Sequence, residues 1–566
     1  LPSLVKEFLR KMTTNRFIND TIYSHIEHTE LEESALQSKI LSRLQFITQN
    51  ALAYFAFPSI NTKRYIHSLG TMHVASHMYK SALLNTKSDL RSKVLNEVFL
   101  AIKKIEVELQ IQRKIQKSKL FEGDTLYQFL IPLKNEKEKY AYLLSLQAIR
   151  FVGLLHDVGH LPFSHQVEFA MQSLFLENSN VQNKNKKQNE FVEFYKTITD
   201  NNRLVLHEAM GLEFVKMLFE HEIAQNYESA VDEDYIKIIY KLVTLILEEK
   251  RFEGFDFGVL HSLIDASVDA DRIDYINRDM LASGYIGGAV DLLRIAKQSV
   301  LTSKKDGEYY ISFFDSAILD IEHMLEMRFN LYKKVIFNHQ IAKKDAMLEN
   351  LIAYLASEYF LTPKDKKSNN ISMLWKFLQP KSFEKKLDTI NLLDENWLIS
   401  LFKEEYFNLK YSNKKDTKKS LMIFEEVLFG KKYFNSLWKN LNDLYGMLDF
   451  TTTQKYQFRE SFGYITPSKL IMLKKALDMF ISCHETQNGG LFFSYQIVSF
   501  KLGVSKDFCL FSGKDLVAID EISTLRKRLK KSMLNTVPFF LYCNKDELSP
   551  KMRYDLKEIL LSVFKK

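Results

Sequence analysis

The chain has 566 residues, 46% hydrophobic and 26% charged, a formal net charge of +8, and only 9 Pro and 18 Gly. That length predicts two or three domains with a sizeable core, and the scarcity of Pro and Gly favours long helices over tight hairpins. Cys483, Cys509 and Cys543 form no CxxC pair, which speaks against a thiolate zinc site or a disulfide framework, and no apolar run reaches membrane-spanning length.

In chain order, residues 1–80 read as helical segments with a break at Phe57-Pro58-Ser59. From Ser81 to Tyr140 the chain is charged, and Val94, Val98, Ile102 and Ile105 recur at amphipathic-helix spacing. Ala141–Leu155 is an apolar helix running into His156-Asp157, and Glu177–Asn189 reads as a polar loop. Residues 204–340 read as consecutive helices, and the lysine-rich stretches Lys364–Asn370 and Ser412–Lys419 as solvated breaks. After Gln487 the character changes: Leu491–Val498 and Val537–Cys543 have the β-branched and aromatic content of strands, and Ser549–Phe564 reads as a closing helix. The expectation is a mainly α protein with a small α+β C-terminal lobe. Its divisions fall at 1–345 with a helical insertion at about 81–140, at 346–486, a helical extension, and at 487–566. The modest positive charge suits a polyanionic ligand without singling out nucleic acid. With no secretory signal in view, a cytoplasmic location is expected.

The chemistry concentrates in Gly153–His165, which holds His156, Asp157, His160 and His165 directly after the apolar helix. Imidazoles with a carboxylate suit a borderline or hard divalent ion, and His156 and His160 are spaced one helical turn apart. Upstream stands Arg64-Tyr65-Ile66-His67-Ser68-Leu69-Gly70. Downstream, Asp271, Tyr275 and Asp279 fall on one helical stripe. Taken singly, His67 reads as a surface or core histidine and Asp271 as a surface acid. The order His, His-Asp, Asp, each in its own local string, points to a metal centre.

With that order, and with Asn19-Asp20, His25-Ile26-Glu27 and His207-Glu208, the chain resembles the HD phosphohydrolases from about Phe17 to Arg328. More narrowly it resembles the deoxynucleoside triphosphate triphosphohydrolases. The resemblance implies an HD-domain helical body and one divalent metal ion (Mn, Mg, Fe or Zn) held by His67, His156, Asp157 and Asp271. It implies an acid–base group of His165, His207 and Glu208 with His160 beside the α-phosphate. Arg64, Arg272 and Arg328 would hold phosphates, Tyr275 and Asp279 would contact the sugar, and Gln49 would read its 3′-hydroxyl. No Walker-type glycine loop is present, so side chains would hold the phosphates. The substrate implied is a deoxynucleoside triphosphate, with a homo-oligomer and a nucleotide activator as further expectations.

The match has departures. The family's sugar-stacking tyrosine is Ile336 here, with Tyr332 one turn earlier. Asn50 replaces a leucine after the sugar-reading glutamine, which predicts weaker exclusion of a ribose 2′-hydroxyl. Gln37 and Gln45 stand where animal members of the family are expected to have the Asp and Arg of a guanine-reading activator site. His73 and His77 continue the His67 helix but have no carboxylate near them in sequence, and they receive no role. Two other readings stay open: an HD enzyme acting on another phosphoester, such as a nucleoside monophosphate or a cyclic or oligonucleotide, and a nucleotide-sensing or nucleic-acid-binding module. Single-stranded nucleic acid on the lysine-rich C-terminal half is a further candidate partner.

Overall fold

The computed structural model describes residues 16–121, 129, 131–285, 291–304, 306–363, 365–380, 382–414, 417–463, 466–486, 490–498 and 501–564. Among the described residues the chain is mainly α-helical, with sheets of two or three strands only.

Two long helices form its centre. Arg64–Leu84 packs along Glu136–Leu155, and both are buried over most of their length. Ala230–Leu247 lies against the second of them. Ser88–Glu108 does the same and buries Val94, Val98, Ile102 and Ile105, the apolar stripe read from the sequence. Within the 81–140 segment, Ser88–Glu108 is therefore a helix laid on the body. Part of its return, residues 122–128 and 130, lies outside the described residues.

The first described residues are not helical, contrary to expectation. Phe17–Asp20 and Ser24–Glu27 form an antiparallel hairpin with Asn19 opposite His25. Asp20 shapes the turn: its Oδ1 accepts from the backbone N–H groups of Ile22 and Tyr23, both at 2.8 Å. Such side-chain turn chemistry is invisible to an apolar-periodicity reading. The polar stretch Glu177–Asn189 is only partly a loop. Helix His165–Ser179 runs into it, and Asn185 caps helix Lys186–Ile198 reciprocally with Gln188. Residues 204–340 likewise include two short antiparallel pairs, Arg251–Phe252 with Phe255–Asp256 and Ser299–Ser303 with Tyr309–Phe313.

In the C-terminal region Phe493–Ile497 pairs antiparallel with Phe539–Cys543, inside the two segments read as strands. The same central strand also pairs with Asn435–Ser436. A further hairpin, Cys509–Ser512 with Asp515–Ala518, was not foreseen, and an isolated bridge from Phe511 to Phe314 ties it to the body. The division drawn at 345 falls inside the continuous helix His339–Leu361. No helix among the described residues is long and apolar enough to cross a membrane.

Candidate active site

The Arg64–Leu84 helix starts at Arg64 and carries His67, fully buried, in its first turn. The Glu136–Leu155 helix stops at Leu155, so His156 is its C-cap. Each imidazole has its Nδ1 engaged, His67 with Asp274 Oδ2 and His156 with the Gly153 carbonyl, both at 2.8 Å. Their Nε2 atoms are buried and lack an aligned hydrogen-bond partner. Those two nitrogens face Asp271 Oδ1 at 2.9 and 3.5 Å, and each lies 3.5 Å from Asp157 Oδ2. Bare imidazole nitrogens converging on carboxylate oxygens are the donor set of a divalent ion. The ligand atoms of His67, His156 and Asp157 lie within 4.8 Å of one another. The residues present therefore fit the metal that the sequence implies.

Behind this group stands a buried chain that sequence reasoning passed over. Asp274 accepts from His67 on one side and from Arg278 Nε and Nη2, at 2.9 and 2.7 Å, on the other. Arg278 Nη1 then donates to Asp20 Oδ2 at 2.7 Å, so the N-terminal hairpin braces the His67 ring. A carboxylate on the far nitrogen fixes the tautomer and orientation of a ligating histidine. Only glycine permits the approach: a Cβ on Gly70 would lie 1.9 Å from Asp274 Oδ1. The Asp274–Arg278 spacing of four was legible in the sequence, but its connection to His67 was not.

Asp157 faces two ways. Its Oδ2 pairs with Arg64, and its Oδ1 lies 3.2 Å from His160 Nε2. Burial opposes the charge on Asp157, but Arg64 and His156 outweigh it and hold the carboxyl well below its usual range. Arg64 also donates from Nε to Ser164 Oγ at 2.8 Å and is buried. In this structure it braces the turn and Asp157, a different use from the phosphate contact implied by resemblance.

The second group is His160, His165, His207 and Glu168. The rings of His160 and His207 stack with centroids 4.1 Å apart, and His165 meets both edge-on. Glu168 Oε2 lies 2.9 Å from His207 Nδ1 and 3.3 Å from His165 Nδ1. Burial works against the Glu168 charge, yet these two hydrogen bonds prevail and hold it below the usual range. Burial, aided by Arg64, pushes His160 down, and burial does the same to His165. The carboxylate that meets these imidazoles is Glu168 and not Glu208, the acid expected in the group, which is exposed. The missed signal was short: Glu168 is three residues after His165, in the first turn of the same helix.

The loop between the groups is tightly built. A Cβ on Gly159 would lie 1.9 Å from the His207 carbonyl, so the two segments touch through backbone. Phe163 and Ser164 adopt left-handed φ angles of 57° and 55°. Buried Arg43 donates to the carbonyls of His160, Val158 and Leu393 at 2.7, 2.5 and 3.1 Å. Strained residues of this kind persist where surroundings over-determine them, often at functional sites.

The remaining residues singled out from the sequence make contacts of their own. Arg328 Nε donates to the Tyr275 hydroxyl at 2.9 Å, and its guanidinium lies 4.5 Å from the Tyr332 ring centroid. Arg272 Nε lies 3.3 Å from Asp269 Oδ2. Gln49 Oε1, Asn50 Nδ2 and Asp279 Oδ1 are buried with no aligned partner. Burial pushes the Asp279 carboxyl up to about 6, offset in part by Asn50. His73 and His77 pack edge-on at 4.6 Å, and burial depresses them to about 3 and about 4. They belong to neither of the two groups that could hold a metal ion among the described residues.

No family model matches the chain. It is 24% identical over 350 residues to an uncharacterized protein of Methanocaldococcus jannaschii, covering 62% of this chain and 52% of that protein. It is 22% identical over 356 residues to a protein of Dictyostelium discoideum named as a deoxynucleoside triphosphate triphosphohydrolase SAMHD1 homolog, covering 62% and 51%. An HD domain-containing protein of Acanthamoeba polyphaga mimivirus is 18% identical over 337 residues, covering 59% and 56%. The chain thus spans about half the length of these curated relatives.

Proposed function

From its standing as a distant relative of HD-domain proteins of the deoxynucleoside triphosphate triphosphohydrolase kind, we propose that this chain hydrolyses deoxynucleoside triphosphates to deoxynucleoside and inorganic triphosphate. The observation that carries the reading is the shared Asp157. One of its oxygens faces the His67–His156 pair and the other faces His160 of the histidine–Glu168 group, so a metal pocket and an acid–base pocket adjoin through one carboxylate.

A divalent ion held by His67, His156, Asp157 and Asp271 would polarise a phosphoryl oxygen and lower the pKa of water beside it. The protein's own part lies in the second group. An imidazole whose Nδ1–H is held by a carboxylate takes a proton at Nε2 and can return it to a leaving oxygen. His207 and His165 have that relation to Glu168. Arg272 and Arg328 match the planar geometry of phosphate oxygens. Gln49 presents a buried polar atom without an aligned partner and Asn50 stands beside the buried Asp279 carboxyl, a setting suited to sugar hydroxyls. Asn50 supplies a donor at the position where discrimination against ribose is expected, so we propose a modest deoxy preference.

Product analysis tests the reading: purified protein with Mn or Mg and each deoxy- and ribonucleoside triphosphate, singly and mixed. Nucleoside plus triphosphate, abolished in His156→Ala and Asp157→Ala, supports it. Orthophosphate as the product favours hydrolysis of another phosphoester. Nucleotide binding without turnover favours a sensor. Turnover confined to mixtures would identify a nucleotide activator, and sizing with and without nucleotide tests the homo-oligomer. A deoxy preference of more than about a thousandfold, roughly 4 kcal/mol, refutes the role given to Asn50.

A further inference from the structure

The two arginines offered to phosphate already have occupants. Arg272 Nη1 donates to the Gly503 carbonyl at 2.7 Å and to the Ser267 carbonyl at 3.1 Å. Arg328 Nη1 donates to the Lys501 carbonyl at 3.3 Å. Residues 501–505 come from the C-terminal region, more than 170 positions from either arginine in the chain. They form neither helix nor strand. A third contact closes the set: the Ser505 N–H donates to Ser267 Oγ at 2.9 Å. We infer that residues 501–505 are an autoinhibitory strap, an internal ligand that holds the phosphate arginines until a polyphosphate displaces it. This rests on the reading of Arg272 and Arg328 as phosphate-binding residues.

Four features argue for a displaceable element over permanent packing. First, the strap engages both guanidinium groups through neutral carbonyl oxygens. A phosphate brings full opposite charge and paired oxygens that match the guanidinium fork, which a lone neutral carbonyl lacks, so it competes with the strap where it would not readily displace a carboxylate. Second, Gly503 is at φ +80°, and a Cβ there would lie 2.2 Å from Arg328 Nη1. The backbone can press onto the guanidinium only because the residue is glycine. Third, the flanks are fixed while the strap is not part of either sheet. Upstream, Phe493–Ile497 lies in the sheet with Phe539–Cys543. Downstream, Ser312 Oγ donates to the Cys509 carbonyl at 2.9 Å and Ser512 Oγ to Asp315 Oδ2 at 2.6 Å. Fourth, Lys501, Ser505, Lys506 and Asp507 are exposed, and Val504 is the buried anchor of the segment. Lifting the strap therefore has to release Val504, with Leu502 packed beside it, and little else.

The consequence is quantitative. Apparent affinity for a phosphate ligand falls by the fraction of molecules whose strap is open. Weakening the strap without touching either arginine must raise that affinity.

The test uses the full chain with Mg and inorganic tripolyphosphate as probe. Amide hydrogen exchange across 501–505 is followed with and without the probe, and tripolyphosphate binding is measured by calorimetry. Exchange there should accelerate on adding tripolyphosphate. Ser267→Ala removes the Ser505 contact and leaves the arginines and the Ser267 carbonyl in place. It should tighten tripolyphosphate binding about threefold to tenfold, the worth of one hydrogen bond. Gly503→Ala should act in the same direction, while Arg272→Gln with Arg328→Gln should weaken binding. Arginine-dependent binding with unchanged exchange at 501–505 and wild-type affinity in both strap variants overturns the strap and leaves the phosphate reading intact. No tripolyphosphate binding by wild type or by either strap variant overturns the phosphate reading, and the strap falls with it.

Discussion

Asp274→Asn preserves the size of a buried side chain and removes its charge. The carboxylate receives three N–H groups, from His67 Nδ1 at 2.8 Å and from Arg278 Nε and Nη2 at 2.9 and 2.7 Å. An amide offers one acceptor oxygen in place of two, so at least one of those donors is left facing an NH₂. If His67 loses its partner, its ring is free to turn, or its proton to move to Nε2, the nitrogen that faces Asp271 and Asp157. Loss of an outer partner of a ligating histidine costs about 10–100-fold in metal affinity, about 1.4–2.7 kcal/mol. Breaking a buried ion pair outright costs about 3–5 kcal/mol of folding stability. Arg278 keeps its bond to Asp20 Oδ2, so the folding loss should fall below that range. The assay is calorimetric titration of metal-stripped wild type and variant with Mn²⁺, with melting in chelator to measure the folding term separately. A folded variant whose Mn²⁺ affinity stays within roughly twofold of wild type, well short of the outer-partner effect, would refute the reasoning.

Three further outcomes follow from particular contacts. Gly159→Ala drives a methyl into the His207 carbonyl and the Gly211 amide, which lie 1.9 and 2.4 Å from its Cβ position; a loss of about 1–3 kcal/mol or more in a denaturant melt, together with lost turnover, is expected, and wild-type stability contradicts it. Glu168→Gln should lower kcat by about 10²–10⁴-fold with Mn²⁺ affinity unchanged, while Glu208→Gln should act much more weakly; the reverse ranking in steady-state kinetics would restore the role to Glu208. Burial lifts the Asp279 carboxyl to about 6, so the fold favours its protonated form. That contribution is complete below the ordinary carboxylate pKa and is lost as pH rises through about 6. Asp279→Asn, always neutral, should therefore gain Tm over wild type between about pH 4 and pH 7, and a flat Tm difference across that window counts against it.

The sequence by itself determined the helical class, the amphipathic Ser88–Glu108 stripe, the two strands that pair in the C-terminal sheet, and the short strings around His67, His156 and Asp271. These are local matters: period, turn residues and motif spacing are written within a few positions of one another. The same reading took the Phe17–Glu27 hairpin for helix, because its turn is set by the Asp20 side chain and not by apolar period. Function-bearing contacts were harder to see for a related reason. Glu168 lies 39 positions from the His207 ring it receives, and Asp274 lies 207 positions from His67. Gly503 is 231 positions from Arg272. Only the tertiary structure could decide which carboxylate meets which imidazole and what covers the arginines, because hydrogen bonds act over about 3 Å. The packing of helices sets which distant residues come that close.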